Sequence, residues 1–76
     1  MSTTILLNSV NNVKGFVNIV SKYDCDVDLI SGRYIVDAKS IMGIFSLDLS
    51  NPIEIRISES SDKDKLLKEI DQFIVK

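Results

Sequence analysis

The strongest constraint on the fold is an alternation of apolar and polar side chains with a period of two. Ile53, Ile55 and Ile57 alternate with Glu54, Arg56 and Ser58. Successive side chains of a strand point to opposite faces, so this segment reads as a strand with one apolar face. Its β-branched residues suit the centre of a core. Cys25, Val27 and Leu29 alternate with Asp26 and Asp28 in the same way, and Tyr34, Val36 and Ala38 alternate with Ile35 and Asp37. Ser31-Gly32-Arg33 joins these two strands, with Gly32 supplying the positive φ of a tight hairpin. Strands that are apolar on one face need cover on that face alone, so the sheet they form packs against helices in two layers.

The remaining segments supply those helices. Thr3 to Leu7 reads as a first strand, closed by Asn8-Ser9. Ser9 caps a helix from Val10 to Lys22 with Val10, Val13, Phe16, Val17 and Val20 on one stripe. Gly15 lies inside it, costs up to about 1 kcal/mol relative to alanine, and is expected to face solvent. Ser40 caps a short helix ending between Leu47 and Leu49, with Pro52 blocking any continuation. Ile41, Met42, Ile44, Phe45 and Leu47 crowd this helix, and a short helix buries only one stripe. Ile44 and Leu47 are expected inward; Met42 and Phe45 are expected outward, as an apolar patch that marks a binding surface. Ser60-Ser61 caps a last helix with Asp62 and Asp64 in its first turn and an apolar stripe of Leu66, Leu67, Ile70, Phe73 and Ile74. The order is βαββαβα, an α+β fold in one domain spanning residues 1–76.

Composition excludes several functions. Nine Lys and Arg against eleven Asp and Glu give a net charge of −2. With no basic run, nucleic acid is not an expected partner. No apolar run suits a membrane span and no leader is evident, so the expectation is no membrane insertion and a cytoplasmic location. Cys25 is the only cysteine and lies on an apolar face, which fits packing rather than thiol chemistry. No metal-ligand set, glycine-rich phosphate loop or nucleophile–base pair is present, so neither a cofactor nor an enzyme activity is expected. The chain contains no histidine.

Three stretches carry a family resemblance. Lys39-Ser40-Ile41-Met42-Gly43, followed by an apolar residue, a serine and a leucine, resembles the regulatory region of HPr. HPr is the phosphocarrier of the bacterial sugar phosphotransferase system (PTS), here in its Gram-positive form. Ser21-Lys22-Tyr23-Asp24-Cys25-Asp26-Val27-Asp28-Leu29 and Glu54-Ile55-Arg56-Ile57-Ser58 resemble the same family. The likeness covers residues 16–76 without a gap, and the first fifteen residues match poorly. It implies an HPr-like open-faced sandwich: a four-stranded antiparallel sheet in the order 1-4-2-3, with three helices on one face.

What the resemblance implies for function divides at one residue. The family carries phosphate on a histidine near the start of its first helix, followed by an arginine and a proline. Laid on without a gap, those residues fall on Ser9, Asn11 and Asn12; a shortened loop between Leu7 and Val10, with the site deleted, fits better. A serine phosphate ester is too stable for a relay, so the carrier chemistry is not expected. The regulatory serine is retained as Ser40. In the family it is phosphorylated by a dedicated kinase, and the product binds a carbon-catabolite transcription regulator. A catabolite-repression branch, Crh, lacks the histidine and keeps the serine. Ser40 also has a plain role as an N-cap.

The expectation is thus a non-catalytic, protein-binding module. Lys39, Ile41, Met42 and Phe45 form its contact surface with Asn11, Asn12 and Lys14. Its partners, by resemblance, are PTS components, an HPr-type kinase or a transcription regulator. The alternatives are a carrier with an atypical acceptor such as Ser9, and a structural dimerisation module acting through Ile41, Met42 and Phe45 or through strand exchange. The expected state is a monomer or weak homodimer.

Overall fold

The computed structural model describes residues 3–75. Its elements are β1 (Thr3–Ile5), α1 (Val10–Val20), β2 (Val27–Ser31), β3 (Tyr34–Asp37), α2 (Ile41–Phe45), β4 (Ile53–Ile57), α3 (Lys63–Glu69) and a closing 3₁₀ turn (Asp71–Phe73). The four strands form one antiparallel sheet in the order β1-β4-β2-β3, and the three helices cover one face. Sheet order and element order both agree with the sequence reading.

The alternating strand β4 lies at the interior of the sheet. Ile55 sits opposite Thr3 on one side and Leu29 on the other. Ile53 and Ile55 are buried with Ile5, Val27 and Leu29 beneath Val13, Phe16, Val20, Ile44, Leu66 and Ile70. The phenyl rings of Phe16 and Phe73 meet edge to face at 5.9 Å, an arrangement that adds to simple area burial. Cys25 is buried in this core. In the β2–β3 hairpin Gly32 has φ 59° and no non-glycine residue has positive φ. Positive φ at the first central residue alone is the pattern of a type II′ turn.

Several boundaries differ from the sequence reading. β1 stops at Ile5, and β2 begins at Val27 rather than Cys25. Before it, Asp26 exchanges bonds with Ser58: the Ser58 N–H donates to the Asp26 carbonyl, and the Asp26 N–H donates to Ser58 Oγ, both at 2.9 Å. α1 ends at Val20, short of the expected Lys22, and α2 ends at Phe45, short of Leu47 in its apolar stripe. Tyr34 shares the parity of the inward residues yet is exposed, because it stands on an outer strand beside the hairpin turn.

The last helix starts at Lys63, with Asp62 as an N-cap that makes no side-chain bond. Ser60 Oγ instead accepts from the Asp62 N–H, closing a turn ahead of the helix. The helix also ends early, at Glu69. Beyond the 3₁₀ turn, Ile74 bridges Ile5, the Leu6 N–H donates to the Phe73 carbonyl and the Val75 N–H donates to the Thr4 carbonyl. The outer edge of β1 thus claims backbone groups that a longer helix would have used.

Gly15 does not face open water. It is half-buried, and a Cβ built there lies 3.7 Å from Cζ of Phe73, an ordinary contact distance. Gly15→Ala is therefore expected to raise stability by about 0.5–1 kcal/mol, since alanine is the better helix former and restricts the unfolded chain. Phe16→Ala is expected to lower it by roughly 3–5 kcal/mol through the cavity it leaves. Urea titrations of both variants against the parent check the two signs.

Candidate functional site

Two helix starts and the loop after α2 build the site. At the first, Ser9 is extended (φ −148°) and its Oγ accepts from the Asn12 N–H at 3.0 Å. The Asn12 amide in turn donates to Asn8 Oδ1 at 3.0 Å. Ser9 and Asn12 are thus engaged in holding the helix start. Asn11 and Lys14 are exposed on α1.

At the second helix start, Ser40 Oγ accepts from the Gly43 N–H at 3.1 Å, the N-cap bond expected from sequence. Ser40 is half-buried. Gly43 is tightly framed: a Cβ there would lie 3.2 Å from Ser40 Oγ and 3.4 Å from Cβ of Val36. A side chain at this position would press on the cap and on β3, which explains a small residue here.

The apolar residues of α2 divide as their spacing suggests. Ile44 and Leu47 are buried, whereas Met42 is 77% and Phe45 42% exposed. Ile41 is half-buried and packs against the core, so it backs the patch instead of forming it. Val10, which the sequence reading placed on the inward stripe of α1, is 55% exposed and joins the surface. As the first helical residue it projects ahead of the turns that cover the sheet.

Val10 and Phe45 line an open groove of about 520 Å³ with Asn8, Ser9, Leu49 and Ser50. The loop wall of the groove is held by Asp48. Its carboxylate accepts from the Ser50 hydroxyl at 2.6 Å, the Ser50 N–H at 3.1 Å and the Asn51 amide at 3.1 Å. These bonds, the Ser50 hydroxyl foremost, lower its pKa below the usual aspartate range. Asn8, Leu49 and Ser50 were not singled out from sequence, and only the turn chemistry of Asp48-Leu49-Ser50-Asn51 hints at an ordered loop.

Lys39 is fixed from a distance. Its Nζ donates to the Tyr23 carbonyl at 2.7 Å. The Tyr23 hydroxyl donates to the Glu69 carboxylate, and Lys22 lies 3.6 Å from the same group. This chain of contacts ties the entry of α2 to the exit of α1 and the end of α3. Among the described residues no group of His, Cys, Asp and Glu is arranged to hold a metal, and no helix is long and apolar enough to cross a membrane.

The family described as "PTS HPr component phosphorylation site" matches residues 11–76, and the chain belongs to that family. Among solved structures it is similar to HPr-C-His from Thermoanaerobacter tengcongensis, at 26% identity and TM-score 0.78, covering 95% of this chain and 88% of that one. HPr from Bacillus anthracis str. Ames shares the fold at 24% identity and TM-score 0.73, covering 99% and 94%. The catabolite repression protein Crh of Bacillus subtilis, whose crystal structure is a swapped, intertwined dimer, shares it at 22% identity and TM-score 0.67, covering 97% and 88%. The family match begins at Asn11, five residues before the likeness read from sequence begins, and includes Ser40.

The Tyr23–Glu69 bond gives the site a pH signature. Glu69, accepting from the Tyr23 hydroxyl, titrates below the usual glutamate range, and Tyr23 is pushed up to about 12 by donating to that carboxylate. The depressed glutamate contributes stability that is present above its unfolded value and lost as pH falls through its folded value. The raised tyrosine contributes stability that is present below about 10 and lost as pH rises toward 12. Alkaline titration of tyrosinate absorbance is expected to show a step near pH 12 that Tyr23→Phe removes.

Proposed function

We propose that this chain is a non-catalytic, HPr-like module that docks on proteins through the Val10–Met42–Phe45 face and is controlled by phosphorylation of Ser40. The observation that carries the reading is the joined apolar surface. Met42 and Phe45 are exposed on α2, Val10 is exposed at the start of α1, and Val10 and Phe45 line one groove. Exposed apolar side chains on two elements that meet in one concave surface mark a protein contact more than a small-molecule pocket. The partners proposed are PTS components of the host cell, with an HPr-type kinase and a transcription regulator for the modified form. Asn11 and Lys14 are the polar rim, and Lys39 supplies a cation beside Ser40.

The absence of histidine supports a module that has given up the relay. Ser9, the position nearest to the family's histidine, is a weak phosphate carrier, because its oxygen is already an N-cap acceptor and a serine ester does not pass phosphate on readily. Ser40 suits modification physically. A phosphate on its Oγ meets the same Gly43 N–H that the hydroxyl now accepts from, where anions are favoured. Lys39 adds a charge-assisted contact only if its Nζ leaves the Tyr23 carbonyl.

Incubation with a Gram-positive HPr kinase and ATP is expected to add one phosphate, mapped to Ser40 by fragment mass and lost in Ser40→Ala. That variant also loses the cap, at about 1 kcal/mol, so its fold is to be checked by circular dichroism. An unmodified mass under conditions that phosphorylate a control HPr removes the regulatory part. Pull-down of PTS proteins from the source cells, abolished by Met42→Asp with Phe45→Asp, tests the docking part separately. An acid-labile adduct formed with phosphoenolpyruvate and the first PTS enzyme would replace the whole reading with that of a carrier.

A further inference from the structure

The two outer strands of the sheet are treated differently. β1 is covered by the chain's own final residues, through the Leu6–Phe73 and Val75–Thr4 bonds and the Ile5–Ile74 bridge. β3 is the other outer strand, and among the described residues no segment pairs with its free side. It also carries Tyr34 and Ile35, which are 71% and 61% exposed. An uncovered edge bearing large apolar residues invites another strand.

The direction of the backbone groups on this edge follows from the register. Ala38 N–H donates to the Val27 carbonyl at 2.9 Å, so the residues of its parity, Val36 and Tyr34, turn their polar groups toward β2. Ile35 and Asp37 turn theirs outward. The Asp37 carbonyl is taken by the Ser40 N–H at 3.0 Å; the N–H and C=O of Ile35 and the N–H of Asp37 face away from the sheet.

The side chains on the helix-free face select an occupant. Ile35 lies beside Ile30. Asp37 lies beside Asp28, which lies beside Arg56. The outermost charge of that row therefore abuts a like charge, an unfavourable pairing, and a cation on its outer side would balance it. The chain carries such a cation on the same edge: Arg33, exposed at the hairpin tip.

Antiparallel pairing of β3 with itself about a two-fold axis allows few registers, because only outward-facing residues can exchange bonds. Pairing about Asp37 sets two aspartates opposite each other. Pairing about Val36 sets Ile35 against Asp37, and pairing about Tyr34 sets Arg33 against Ile35. Pairing about Ile35 alone sets Arg33 opposite Asp37 on both sides, with Ile35 against its own copy at the centre. It extends the Ile30–Ile35 row into an unbroken apolar row and closes the charged row as Arg56, Asp28, Asp37 and Arg33 of the second copy. Tyr34 then lies opposite the half-buried Val36 of the second copy.

From this charge and shape self-complementarity, we infer that the β3 edge is a homodimer surface in which two chains pair antiparallel about Ile35. The strand is only four residues long, so the interface is smaller than that of a permanent dimer and the association is weak and concentration-dependent. It uses neither the Met42–Phe45 face nor exchange of β1.

The test is sedimentation velocity of the full chain in dilution series up to about 1 mM, the range in which weak complexes form. The weight-average mass is expected to rise toward twice the monomer value. Arg33→Asp is expected to weaken association by about tenfold, from two opposed pairs made repulsive, and combining it with Asp37→Arg to recover most of that loss. Because the Asp37 carboxylate also accepts from the Lys39 N–H, a second variant avoids it. Ile35→Pro removes an N–H that the β2–β3 ladder does not use and is expected to abolish pairing while the far-ultraviolet spectrum is kept. A constant monomer mass overturns the proposal. So does a dimer that survives both Arg33→Asp and Ile35→Pro, or one that Met42→Asp with Phe45→Asp dissolves.

Discussion

The architecture depends on covering the single apolar face of β4. Ile53 and Ile55 point into the core, and this strand pairs on both sides, with β1 and with β2. Both of its partners precede it in the chain by more than twenty residues. Thr3 pairs with Ile55 across 52 positions of the chain, and Leu29 pairs with Ile55 across 26. Such non-local pairing requires loop closure before its contacts reward it. The β2–β3 hairpin, closed by Gly32, is the part of the sheet that local sequence can form alone. The helices then seal one face, and residues 73–75 seal the edge of β1.

How much of this was legible in the sequence follows from the range of each interaction. The alternations of Ile53–Ser58 and Cys25–Leu29 were readable because a period of two needs only neighbouring residues. The Ser40 cap and the division of Ile44 and Leu47 from Met42 and Phe45 were likewise local. The end of α3 was not. Leu66, Ile70, Phe73 and Ile74 keep a helical period, and only the distant edge of β1 explains why the chain leaves the helix at Glu69. Gly15 was misread because Phe73, the ring beside it, comes from the last turn of the chain. The Lys39–Tyr23 bond, joining residues sixteen apart, left no pattern to read.

The candidate site shows the same division. Family motifs and the crowding of α2 pointed to Ser40, Met42 and Phe45. Val10 was assigned inward because a helical stripe says which face is apolar, not how far the helix overhangs the sheet it covers. The groove wall at Leu49 and Ser50 depends on Asp48 folding its own loop, a turn whose position beside Val10 is set by tertiary packing.

The turn from Asp37 to Ser40 belongs to both proposed surfaces. The Asp37 carboxylate accepts from the Lys39 N–H at 2.9 Å, and its carbonyl accepts from the Ser40 N–H at 3.0 Å. The residue that would face Arg33 of a second copy therefore also sets the approach of the chain to the α2 cap. A dianion on Ser40 would lie within a Debye length of Asp37, whose carbonyl accepts from the Ser40 N–H. It would deepen the negative potential that a cation on the open edge answers, without moving the core beneath. Charge added at one end of β3 is then felt along its edge because one short, hydrogen-bonded turn carries both, and no rearrangement of the sheet is needed to connect them.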